Sequence, residues 1–68
     1  MTIEELFEYF PESFLAIRRY YIDKGQTFGK RYPIHWLRSV YELKRKGKLI
    51  KTTKIHSELE EDDWEAIE

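Results

Sequence analysis

Pro11, Gly25, Pro33 and Gly47 punctuate this 68-residue chain into short stretches. Proline fixes its own φ and lacks an N–H, so it is disfavoured inside a helix and welcome in a first turn. Glycine reaches the left-handed conformation that ends helices without a Cβ penalty. Each stretch therefore has room for one short element, and the fold has to be a small unit of such elements packed on one another. There is no cysteine to staple it, and a domain of this size buries only about 60% of the surface its unfolded chain exposes. Its core must come from aliphatic residues together with two Trp, five Tyr and four Phe. One domain is the most this length supports.

Thr2 followed by Glu5 has the spacing of a capping box, and Ile3, Leu6, Phe7 and Phe10 recur at helical spacing, which predicts a short first helix. A second helix is predicted from about residue 11 to Gly25, with Phe14, Leu15, Ile17, Tyr21 and Ile22 inward and Arg18 and Arg19 outward. Residues 25–32 are long for a turn between packed helices, and their conformation stays open, a short strand included. Pro33 then opens a third helix with an apolar stripe of Ile34, Leu37, Val40, Tyr41 and Leu43 that Gly47 ends. Leu49, Ile50, Thr52, Thr53 and Ile55 are strand formers, so residues 48–55 are expected to be a strand carrying Lys48, Lys51 and Lys54. Ser57 with Glu60 either caps a final helix holding Leu59, Trp64 and Ile67 or lies in an acidic segment that stays disordered. The expected architecture is a mainly α, three-helix small domain with a short β element, residues 1–56, followed by an acidic segment, 57–68.

The net charge of −1 conceals segregation. Residues 1–17 carry four glutamates and no base, residues 18–54 carry all twelve Lys and Arg against Asp23 and Glu42, and residues 55–68 carry only acids among their charges besides His56. A basic block between acidic ends points to a polyanionic partner, or to lysines solvated and neutralised by those ends. The glycines at 25, 29 and 47 form neither a phosphate-binding loop nor a dinucleotide fingerprint, and the 60–63 acidic run lacks calcium-loop spacing. His35 and His56 have no sharply spaced third ligand for zinc. No enzyme, metal or cofactor is expected. The longest apolar run, Phe14 to Ile17, is far short of a membrane span, and the N-terminus has no signal-like core, so the expectation is a cytoplasmic protein with no membrane role.

The stretch Arg38-Ser39-Val40-Tyr41-Glu42-Leu43-Lys44-Arg45-Lys46-Gly47-Lys48-Leu49-Ile50 places apolar residues at 40 and 43, a glycine four later, and apolar residues at 49 and 50. It resembles the end of the recognition helix and the first wing strand of winged helix-turn-helix DNA-binding domains. That resemblance covers about 20 residues and implies a third helix in or against a DNA major groove, with Lys48, Lys51 and Lys54 on adjacent phosphates. Duplex DNA is then the favoured partner and a regulatory role the expectation, with a homodimer matching the two-fold symmetry of many DNA sites. Arg38 is the candidate for a base contact, against a salt bridge to Glu42. Lys30, Arg31, His35, Ser39, Arg45 and Lys46 complete the candidate nucleic-acid surface. Tyr20, Tyr21, Phe28, Tyr32 and Trp36, interleaved with bases, serve either as core or as stacking platforms for single strands. The rival function is a protein-interaction module, inhibitor or adaptor, using Leu59, Trp64 and Ile67 of the acidic C-terminal segment as partner anchors.

Overall fold

Thr2 and Glu5 cap each other's backbone: the Glu5 amide donates to Thr2 Oγ1 at 3.2 Å and the Thr2 amide to Glu5 Oε1 at 2.9 Å. In the computed structural model, which describes residues 1–68, the helix so started, α1 (Ile3–Tyr9), buries Ile3 and Leu6. Phe10 is already extended, and the Phe14 amide closes a turn on the Pro11 carbonyl at 3.1 Å. Here the chain departs from the expected second helix. Leu15–Arg18 is a strand, β1, and only Arg19–Asp23, α2, is helical. The reason is the unbroken apolar run ending at Ile17. Neighbouring strand residues point to opposite faces, and both Ala16 and Ile17 are buried, so this strand is covered on both faces.

Gly25 ends α2 as expected, at φ 67°. The Gln26 amide bonds the Tyr21 carbonyl at 2.9 Å and the Gly25 amide the Ile22 carbonyl at 3.0 Å, the paired closure of a Schellman motif. The open stretch that follows contains a two-residue strand, β2 (Tyr32–Pro33). α3 (Ile34–Arg45) buries Ile34, Leu37 and Val40 and stops at Gly47 through the same pair of bonds, Lys48 to Leu43 at 2.8 Å and Gly47 to Lys44 at 3.0 Å.

Past Gly47 two more expectations are corrected. Residues 48–53 are irregular, with a turn at 51–52 and no strand among them, and Lys54–Glu58 forms a helix, α4. Trp64–Ile67, expected as helix or disorder, is a strand, β3, paired antiparallel with β1 from Leu15↔Ile67 to Arg18↔Trp64. β2 pairs antiparallel with the other edge of β1, so the sheet order is β2-β1-β3. The mainly α, three-helix architecture is therefore overturned: four helices pack with a three-stranded antiparallel sheet. Strand preference depends on what a segment can pair with, and β3 offers β1 a four-residue register that residues 48–55 do not take.

One core gathers Ile3 and Leu6 of α1, Ala16 of β1, Ile34, Leu37 and Val40 of α3, Ile55 of α4, Leu59 and Trp64. Trp64 is fully buried, its indole N–H donating to the Glu58 carbonyl at 3.1 Å. Its backbone exchanges two bonds with Met1, at 3.1 and 3.0 Å. No helix is long and apolar enough to cross a membrane.

Candidate nucleic-acid interface

Five of the twelve bases have carboxylate partners within 4.0 Å: Arg18 with Glu61 and Asp63, Arg19 with Asp23 and Glu65, Arg38 with Glu12, Lys44 with Glu60, and Arg45 with Glu42. The other seven, Lys24, Lys30, Arg31, Lys46, Lys48, Lys51 and Lys54, have none. All seven lie in two segments, 24–31 between α2 and β2 and 46–54 from the end of α3 to the start of α4. The acidic ends thus neutralise much of α3 and β1 and leave these two segments positive.

The segments meet at Tyr21. Lys30 Nζ lies 4.9 Å and Lys54 Nζ 5.4 Å from the centre of its ring. The Lys54 ammonium alongside holds Lys30 below the usual lysine range. Tyr20 packs edge-on against Tyr21 at 5.2 Å. Lys24 donates to the Tyr20 hydroxyl at 2.6 Å, which lowers that hydroxyl's pKa, and Arg18 lies over both rings at 5.2 and 5.6 Å. Cations held over ring faces gain electrostatic attraction without being neutralised, so the rings position the charges of Lys24, Lys30 and Lys54, which have no carboxylate partner, and keep them available, whereas Arg18 is taken up by Glu61 and Asp63. Beneath it Tyr21 donates to Glu58 Oε1; that contact first, and burial second, raise the tyrosine's pKa. Glu58 is the one charged residue that is buried, and its Oε2 has no hydrogen-bond partner.

The residues expected from sequence are distributed unevenly around this patch. Lys30 and Lys54 form its centre, and Arg31, Lys46, Lys48 and Lys51 lie on the same two segments. Arg38 is engaged elsewhere: it pairs with Glu12 at 2.9 Å instead of Glu42, donates to the Phe7 carbonyl at 3.1 Å and covers the Phe7 ring at 5.2 Å. Arg45 pairs with Glu42 at 3.5 Å. Ser39 Oγ donates to the His35 carbonyl at 3.2 Å. The proposed wing is absent as a strand, since 48–53 are irregular with a turn at 51–52. Leu59 and Trp64, expected as partner anchors, are core residues at 3% and 0% exposure, out of reach of a docking protein; Ile67 alone of the three is exposed. Lys24 was not expected in the site, although its position four residues after Tyr20 on one helical face is a readable signal. Nothing in the sequence marks the burial of Glu58.

The three surface depressions are lined by ion-paired side chains, among them Arg38, Arg45, Lys44 and Arg19, and by none of the seven unpaired bases. No group of three or more His, Asp or Glu side chains is placed to hold a metal ion. No protein-family model, curated protein or solved structure matches the chain.

Proposed function

We propose that this is a small, non-enzymatic nucleic-acid-binding protein whose contact surface is the pair of basic segments 24–31 and 46–54, not the exposed face of α3. The observation that carries the reading is the convergence of Lys30 and Lys54, neither with a carboxylate partner, on one tyrosine ring. Two ammonium groups repel each other, and an arrangement that keeps them together is favoured by an anion between or beside them; phosphate is the anion that a row of unpaired lysines follows. The winged-helix resemblance contributes α3 and its glycine stop, and a role in regulation rests on that resemblance.

Fluorescence anisotropy with labelled duplex DNA, single-stranded DNA and RNA between roughly 50 and 200 mM salt tests it. Binding should weaken steeply with salt. A Lys30→Ala/Lys54→Ala variant should bind more weakly and lower the salt slope by about 2, near one per lost phosphate contact. An Arg38→Ala/Arg45→Ala variant should bind almost as wild type. Absence of binding at the lowest salt, or equal losses in the two variants, would reject this surface.

A further inference from the structure

Phe28 is 97% exposed, the most exposed large hydrophobic side chain in the protein. Its position is fixed by the chain around it. The Lys30 amide donates to the Thr27 carbonyl at 3.1 Å, closing a four-residue turn whose third residue, Gly29, has φ 73°. Positive φ at that place is what a type II turn requires, and Phe28 occupies the corner before it. The loop is thus a closed turn anchored upstream by the Gly25 helix stop and downstream by β2, with the ring at its tip and Lys30 two residues away.

On either side of this loop, Tyr20 in α2 is 46% exposed and Trp36 in α3 40% exposed. Trp36 stacks nearly parallel on Tyr32, 5.3 Å between ring centres and 16° between planes. Single exposed apolar residues are ordinary. Exposed aromatic residues at 20, 28 and 36, interspersed in sequence with the unpaired bases Lys24, Lys30 and Arg31, are the composition of a segment that binds unpaired nucleotides, because every nucleotide has a base face to stack and a phosphate to neutralise. In a duplex the base faces are already stacked on one another, so a ring at a loop tip has nothing to stack on.

We infer that the ligand is single-stranded nucleic acid and that Phe28 stacks on one of its bases while Lys30 and Lys54 take the adjacent phosphates. This rests on the nucleic-acid reading above and narrows it. The charge of the two segments supplies the complementarity, and the exposed ring supplies the preference for the unpaired strand.

The test compares a labelled oligothymidylate of about 16 nucleotides with a duplex of equal length, using wild type, Phe28→Ala, Phe28→Leu and Phe28→Trp. Circular dichroism should show all four folded, since the ring touches no core residue. Wild type should prefer the single strand. Phe28→Ala and Phe28→Leu should weaken single-strand binding roughly tenfold with the salt slope unchanged, and Phe28→Trp should restore it. Equal affinity of wild type and Phe28→Leu for the oligothymidylate would overturn stacking while leaving the lysine surface in place. Tighter binding of the duplex would overturn strand preference in the same way. Binding to phosphatidylserine vesicles with none to any nucleic acid would overturn this inference and the broader reading together.

Discussion

Arg18 and Asp63, 45 residues apart, meet in a two-pronged contact, Nε to Oδ1 at 2.8 Å and a terminal guanidinium nitrogen to Oδ2 at 3.2 Å. Arg18 ends β1 and Asp63 immediately precedes β3. Asp63 also accepts the Tyr20 amide at 3.1 Å through Oδ2, and its carbonyl accepts the Arg19 amide at 2.8 Å. One acidic residue therefore fixes where β3 begins against the start of α2. Hydrogen bonds to charged groups contribute about 1.5–3 kcal/mol each when partly shielded. Replacing Asp63 by Ala should destabilise the protein by about 2 kcal/mol in urea unfolding, and more than an Asn that retains an acceptor for Tyr20. Equal midpoints for wild type and Asp63→Ala would show that the strand register is set without this contact.

The same contact gives the protein an acid limit. Burial pushes the Asp63 carboxyl up, but the Arg18 guanidinium and the Tyr20 amide together outweigh it and hold the group below the usual aspartate range. Because the folded value lies below the unfolded one, the contribution to stability is complete above the unfolded value of about 3.9 and is lost as pH falls through the folded value. The stability gap between wild type and Asp63→Asn should be constant from neutral pH down to about 4 and close below it. Thermal unfolding of both proteins across that range measures the gap; a gap that stays constant to the lowest pH would contradict the assignment.

Gly47 has φ 72° and open space where a Cβ would stand. An alanine there meets no clash, so its cost is the left-handed backbone alone, about 1 kcal/mol. Asn, which tolerates that conformation better, should cost less. Both values come from denaturation midpoints of Gly47→Ala and Gly47→Asn. A cost near zero for alanine would mean that the end of α3 relaxes to another closure.

The features legible in the sequence are those with local causes. The Thr2 and Glu5 cap, the stops at Gly25 and Gly47 and the Ile34, Leu37, Val40 stripe each depend on residues within a turn or two, and all are present in the fold. The features that were illegible depend on partners far away in sequence. Phe14 to Ile22 fits a helical period by accident of spacing, while Leu15 to Arg18 is extended because it pairs with Trp64 to Ile67 at the far end of the chain. Thr52, Thr53 and Ile55 favour strands but find no neighbour to pair with. In the candidate site, the basic block was visible as composition; which of its members remain unpaired was not, because Arg38 meets Glu12 and Arg18 meets Asp63 only after folding.

Trp64 decides whether the acidic C-terminal residues are an appendage or part of the domain. Its ring is fully buried in the core and meets Tyr32 edge-on at 6.4 Å, and its backbone is bonded to Met1. Truncating a buried Trp to Ala costs about 3–5 kcal/mol, comparable to the whole stability of a domain at the low end of the usual range, about 5 kcal/mol. Trp64→Ala should therefore be largely unfolded at 25 °C, and a chain ending at residue 56, which also lacks Leu59 and β3, should be unfolded entirely. Trp64→Phe keeps most of the ring but leaves the Glu58 carbonyl without its indole donor, so it should fold with a loss of about 1–3 kcal/mol. Circular dichroism and amide proton dispersion distinguish these outcomes. A folded 1–56 fragment would mean that the core closes without β3, and the C-terminal segment would then be free to act as a separate, dissociable element.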